Sequence, residues 1–372
     1  MSATETSTTS GDDLVSLGER LKQAHREGGA VRIEGGGTRH FTGRQVEGEV
    51  LSTRRHRGIT SYDPVELIVS VRAGTPLQEL EATLAQHGQM LPFEPPRFGA
   101  ESTVGGMVAS GLSGPRRPWA GAVRDFVLGM RVLDHQGREQ RFGGEVMKNV
   151  AGYDLSRLMV GAQGTLGLIT EVSLKVLPVP SSSRSLRLEI DRERAMQQLA
   201  SWGRQPLPLS AATWHDGALN LRLEGGPGSV AATADMIGGD DLDAGYWQQL
   251  RDWQLPLFRD DQFRSQPFTD HQQPLWRLAL PANTPALALA ELEGAESIDD
   301  WAGCQRWLRS DIEATTLRDA CALAGGHATC FTPQAADPYT PLSPVLARYH
   351  RQLKQQLDPN GVFNPGRLYP DF

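Results

Sequence analysis

The chain of 372 residues has little of what would place it in several large classes of protein. It has three cysteines, Cys304, Cys321 and Cys330, and no two of them form a C-x-x-C pair. That argues against a disulfide framework and against an iron–sulfur cluster held by this chain alone. No apolar run approaches the roughly 18 residues that a membrane span needs. Positive charge is also short: 37 Lys and Arg stand against 44 Asp and Glu, a formal net charge of -7. Nucleic acid and anionic membrane are therefore poor main partners. Met1 to Asp13 is Ser/Thr-rich and acidic, without the basic start and apolar core of a secretory signal. It reads as a frayed tail, and a cytoplasmic location is expected.

Two nucleotide-binding motifs are absent as well. No Gly-Lys-Ser/Thr is present, so a P-loop is excluded. Gly35-x-Gly37 is followed by His40 where a dinucleotide fingerprint needs a third glycine for close helix packing. The nine histidines are scattered and no two have metal-ligand spacing, so no metal site is expected.

What is present is glycine, 40 residues of it. Leu14 to Arg26 predicts a helix with Leu14, Leu17, Leu21 and His25 on one face, and Ala30 to Glu34 a short strand. Val65 to Ala73 alternates as a strand, and a helix follows, with Thr75 as cap, Pro76 first and Gln78 completing a capping box. Its stripe is Leu77, Leu80 and Leu84, and Gly88 ends it. Phe126 to Leu133 and Thr165 to Leu177 are further strands. Pro178 to Ser183 reads as a linker. Seven of eight tryptophans lie beyond it, which suggests two domains with separate cores. The expected units are a tail over 1–13, a first domain over 14–178, a second over 184–335, and a returning segment over 343–372. In that segment Ser343 caps a helix, with Pro344 first and Leu346, His350, Leu353 and Leu357 facing inward.

Three small-residue clusters carry the chemistry. In the first, a strand runs into Gly35-Gly36-Gly37-Thr38, whose unhindered N–H groups can form an anion nest; a plain glycine turn reads equally well. The second runs from Pro95 to Gly111. Ser102 and Thr103 lead into Gly105, Gly106, Ala109 and Ser110, a helix face without bulk that admits a planar ligand or a close backbone. The third runs from Lys148 to Glu171, where a short helix enters a Gly161-x-x-Gly164-Thr165-x-Gly167 turn and then a strand through Ile169.

These clusters, in this order, resemble the flavin-binding half of the vanillyl-alcohol-oxidase-type, or PCMH-type, flavoproteins. The third is similar to the signature of the D-lactate and glycolate oxidase branch. So is the ending Asp358-Pro359-Asn360-Gly361-Val362-Phe363-Asn364-Pro365-Gly366. The short length resembles the small flavin subunits of glycolate oxidases. The resemblance implies an α+β fold: an FAD-binding domain of two mixed subdomains, and a smaller α+β cap whose sheet carries helices on one side. It implies that Gly35 to Thr38 and Ser102 to Gly106 flank the FAD diphosphate. Ala109, Ser110 and Gly111 would lie near the ribityl chain and ring, and Gly161, Gly164 and Ile169 would offer backbone contacts. Gly37 stands where some members carry a flavin-bonding histidine, so noncovalent FAD is expected.

The resemblance further implies oxidation of a small 2-hydroxy acid, with a larger flavin subunit and an iron–sulfur subunit as partners and peripheral membrane association through them. Alternatives are a stand-alone FAD oxidoreductase of another substrate and a non-catalytic flavin scaffold. The second half is less informative. The family's metal-binding His motif is missing. His327 is the best single polar group for a place near the flavin, though a lone histidine is more often structural, and His215 is weaker. Oxidising a 2-hydroxy acid needs a base and a cationic clamp. Arg116, Arg117 and Arg124 could bind a carboxylate or could equally be solvated charges.

Overall fold

The computed structural model describes residues 11–144, 154–258 and 273–372, apart from 283, 288, 290, 291, 293, 294 and 334. Its first half is built from two packed units. In one, the helix Leu14–Glu27 buries Leu17, Leu21 and Ala24 against the parallel pair Val31–Glu34 and Glu49–Ser52. Gly28, in the left-handed region, ends that helix. Val362 and Phe363 complete this core, and Val31 pairs with Phe363 as an isolated parallel bridge. The C-terminus thus packs on the N-terminal unit.

The other unit is a five-stranded antiparallel sheet in the order Ile59–Asp63, Ile68–Arg72, Leu168–Lys175, Val127–Leu133, Glu139–Gly143. The helices Leu77–Gln86 and Val104–Ser110 cover it, with Leu77, Leu80, Leu84, Val104, Met107 and Val108 buried. The predicted strand Val65 to Ala73 begins late: Val65 is 87% exposed and Leu67 has φ 59°, because the chain turns there between two paired strands. The predicted capping box does not form. Thr75 instead turns its hydroxyl to the Arg72 carbonyl and accepts the Gly58 N–H, so it ties the preceding turn.

The second half holds an eight-stranded sheet. Its order is Asp240–Asp241, Ser182–Glu189, Ala218–Gly225, Leu209–His215, Ser297–Asp300, Gln305–Arg309, Leu275–Ala279, His327–Cys330. The predicted linker is thus short, since the strand Leu177–Pro178 ends just before residues 179–181 and Ser182–Glu189 begins just after them. Register assigns the faces. Trp276 lies opposite Leu308, and both pack with the helix Ala314–Leu323. The helices Arg192–Trp202 and Pro227–Ile237 bury Leu199 and Val230 against Leu219, Leu221 and Ala212 on that same face. The opposite face carries Arg277, Trp307, Ile298 and Asp300. It is not bare: the helix Gly245–Arg251 packs there through Trp247 and Leu250, contrary to the one-sided expectation.

That inner face also meets the first half, so the cores are not separate. Phe41 and Leu112 belong to the same buried cluster as Trp247, Phe258, Trp307 and Phe331. Phe41 lies 5.0 Å from Phe98 and 5.6 Å from Trp253, which lies 4.7 Å from Trp307. The returning helix, Pro344–Leu357, is capped by the Ser343 hydroxyl as expected. Its inner face differs from the expected stripe: Leu346 is 51% exposed and His350 is exposed, because only the last turns pack, through Leu353, Lys354 and Leu357.

Candidate active site

A cleft opens between the two units of the first half. The loop joining the parallel strands forms one wall, and Ala73, the start of the helix Val104–Ser110 and the run Gly164 to Ile169 form the other. The glycines are demanded by contact. A β-carbon on Gly36 would lie 1.5 Å from the Glu101 carbonyl oxygen, and one on Gly35 2.2 Å from the Thr103 hydroxyl. The two loops touch backbone to backbone. Arg54 holds the carbonyls of Gly35 and Gly36 at 3.1 and 2.9 Å. In a planar trans peptide the next N–H points the opposite way, so the amides of Gly36 and Gly37 face away from Arg54. Those of Gly35, Gly36, Gly37 and Thr38 meet no acceptor among the described residues. Four free amides at a glycine loop make an anion nest.

Side chains reinforce the nest. Thr38 and Ser102 share a hydrogen bond of 3.1 Å across the two loops. Thr103 caps its helix by accepting the Gly106 N–H. Arg39 donates to the Pro96 carbonyl at 2.9 Å and lies over the Phe98 ring. His40 lines the cleft, and burial holds its imidazole below the ordinary histidine range, opposed by Glu34.

The C-terminal motif closes the far end. Asn364, at φ 39°, accepts the Ile33 N–H at 2.8 Å and donates to the Gln163 carbonyl at 2.7 Å. Arg367 donates to the Gln163 side chain and to the carbonyls of Arg44 and Arg39. Asp358 accepts the N–H groups of Val362 and Phe363 and pairs with Lys354, whose ammonium also reaches the carbonyls of Thr165 and Phe363. A buried cation and anion, fully hydrogen-bonded, thus fold this turn onto the cleft.

Of the residues expected from sequence, Gly35, Gly36, Gly37, Thr38, Thr103, Gly105, Gly106, Ala109, Ser110, Gly164 and Ile169 line the cleft. Ser102 stands behind them, buried, and Gly161 does not line it. The part of the third cluster from Lys148 to Tyr153 lies outside the described residues. Arg32, Arg39, His40, Thr53, Gln163, Asn364 and Arg367 line the cleft without having been singled out. The Asn-Pro-Gly ending was the available signal for two of them.

A second, narrower void lies between the chain just beyond Ser110 and the inner face of the large sheet. Leu112, Ser113 and Gly114 form one wall, and Arg277, Asp300, Gln305 and Trp307 the other. The Arg277 guanidinium packs on the Phe331 ring and makes no hydrogen bond to a described residue. Burial pulls its pKa down to about 10. Asp300 is the carboxylate in this lining. Burial pushes it up to about 7, against hydrogen bonds from the Trp301 N–H and the Gln305 amide.

The other expected groups stand elsewhere. His327 is on the same sheet face as Arg277 but exposed at an edge, and it lines neither void; nor does His215. Arg116 is spent in buried ion pairs with Glu94 and Glu224, Arg117 stacks on Trp301 at 4.3 Å, and Arg124 is exposed.

A glycine-walled cleft between two small α/β units, under a cap sheet, defines a PCMH-type flavoprotein. Comparison agrees: an FAD binding domain model matches residues 13–143. Alkyldihydroxyacetonephosphate synthase superposes with a TM-score of 0.66 at 18% identity, over 94% of this chain and 75% of that one, a likeness of fold alone. The glycolate oxidase subunit GlcE of Escherichia coli is 52% identical over 354 residues, 95% of this chain and 96% of that protein. A D-lactate dehydrogenase of Archaeoglobus fulgidus is 34% identical over 51% of this chain and 43% of its own length. The chain therefore belongs to the family of GlcE-type, FAD-dependent 2-hydroxy acid oxidoreductase subunits.

Proposed function

We propose that this chain is the small flavin subunit of a cytoplasmic glycolate oxidase, which oxidises glycolate to glyoxylate. Its partners would be a larger flavin subunit and an iron–sulfur subunit, through which any membrane association would come. The observation that carries this reading is the cleft itself, two touching glycine loops, the first with free amides, closed by the C-terminal turn, in a chain 52% identical to GlcE over nearly its whole length. FAD, held noncovalently, supplies a hydride acceptor. Gly35 to Thr38, with Thr103 to Gly106, would hold its diphosphate. Ala109, Ser110 and Gly164 would leave room for the ring.

The second half would supply the groups that handle substrate. Arg277, a guanidinium with no carboxylate or hydrogen-bond partner among the described residues, is suited to a substrate carboxylate. Asp300 in the same void is suited to take the hydroxyl proton, since its pKa of about 7 lets it act as a base near neutrality.

The test is anaerobic addition of glycolate to the purified chain and to the native complex, read as bleaching of the flavin band. Bleaching of the complex that requires this chain's Arg277, lost in Arg277→Met, supports the reading. Bleaching by another 2-hydroxy acid in the isolated chain alone would favour a stand-alone enzyme. A folded chain that carries no flavin would sink the proposal. Acid precipitation should release all colour; colour kept in the pellet would overturn noncovalent attachment.

A further inference from the structure

Among the cations lining the cofactor cleft, Arg39 is distinct. Arg32 pairs with Glu34 at 2.9 Å. Arg367 has its donors engaged by the Gln163 side chain and two backbone carbonyls. Arg39 forms no ion pair among the described residues, and its only close hydrogen bond is from Nη2 to the Pro96 carbonyl. Nη1 stands 3.4 Å from both the Thr38 and Ser102 hydroxyls, and Nε is buried without a partner among the described residues. Burial pulls its pKa down to about 10 with no carboxylate opposing the shift. An enclosed cation of this kind is unfavourable unless an anion joins it.

The surroundings identify the anion. The Arg39 guanidinium is placed where the two glycine loops meet: Nη1 would be 3.7 Å from a β-carbon on Gly106, and the four free amides belong to the four residues preceding it. Backbone amides carry only partial charge, and the cleft would take a group with two full negative charges. We infer that Arg39 is the counter-ion of the FAD diphosphate, and that it makes this site select a diphosphate-bearing flavin over riboflavin. This rests on the FAD reading of the cleft. Arg39 is a binding residue here; it also stitches the two loops together, and the test must separate these roles.

Apo-protein of the full chain is titrated with FAD and with riboflavin, read by quenching of flavin fluorescence. Arg39→Met should weaken FAD binding roughly 10- to 100-fold, the scale of a charge-assisted contact, and leave riboflavin binding unchanged. The salt dependence of FAD binding should flatten, and Arg39→Lys should recover part of the affinity. Unchanged FAD affinity, or an equal loss for both flavins, would overturn the inference, the latter assigning Arg39 to loop stitching alone. Should Arg39→Met fail to fold, the wild-type apo-protein still decides. Inorganic pyrophosphate should raise its melting temperature and compete with FAD but not with riboflavin, and absence of both effects refutes the counter-ion role. Wild-type apo-protein that binds no FAD would instead refute the reading of the cleft.

Discussion

Two single residues show how tightly the site is specified. Gly36 sits so near Glu101 that a methyl group has nowhere to go, and the obstacle is backbone. Gly36→Ala should therefore spread the two loops, release FAD and lower stability by about 1–3 kcal/mol, the usual scale of overpacking. Flavin content after gel filtration and a urea titration check both. Asp300 makes a prediction about pH. Burial raises its folded pKa from 3.8 to about 7. Below the unfolded value both states are protonated and the group's contribution is fully present. As pH rises through the folded value it is lost, because the unfolded chain ionises freely. Asp300→Asn should remove this, so the variant gains on the wild type from pH 4 to pH 8 by up to about 1.4 kcal/mol per pH unit. Urea midpoints at the two pH values measure it. If Asp300 is the base, glycolate bleaching should rise with pH through about 7 in the wild type and lose that rise in the variant.

At the scale of elements, the C-terminal turn organises the cleft although it lies at the other end of the chain. Asp358 accepts two backbone N–H groups and the Lys354 ammonium, and both partners of the pair are buried. Asp358→Ala leaves that ammonium buried without its anion. It should cost about 3–5 kcal/mol and free Asn364 from Ile33, so flavin should be lost before global unfolding. A thermal melt followed by flavin release and by circular dichroism together tests this, and coincident, unshifted transitions would contradict it. The motif was legible in the sequence, and its job was not: the bond from Ile33 to Asn364 spans 331 positions, beyond any periodic pattern. The helix before it shows the converse. Its caps were readable because Ser343 and Pro344 act locally, while its inner face was misread because a stripe does not say how many turns will be covered. Thr75 failed as a cap for a similar reason, its hydroxyl being claimed by the preceding turn.

At the scale of the molecule, the glycine clusters marked the first half well, because close backbone approach leaves a compositional trace. The second half left none: Arg277 and Asp300 stand in ordinary strand sequence, and only the pairing of Arg277 with Trp307 and Asp300 with Gln305 puts them on one face. What holds that face to the first half is an ion cluster as well as aromatic packing. Glu94 meets Arg222 at 2.8 Å, and Arg116 meets Glu224 at 2.6 Å, all four side chains being nearly buried. Burial works against the Glu94 charge, yet Arg222 and Arg116 outweigh it and hold the carboxyl below its usual value of 4.5. A depressed folded pKa gives stability that is present above 4.5 and lost as pH falls through the folded value. The two halves should therefore loosen in acid, with a red shift of tryptophan emission as Trp253 and Trp307 meet water. Glu94→Gln leaves Arg222 buried with less negative charge around it and should destabilise by about 3–5 kcal/mol. Adding Arg222→Met removes the excess cation and leaves Arg116 with Glu224 as a balanced pair. The double variant should then be more stable than Glu94→Gln alone, a non-additivity that a double-mutant cycle in urea measures directly. A double variant as unstable as the sum of its parts would mean that the halves are joined by packing, with the charges as bystanders.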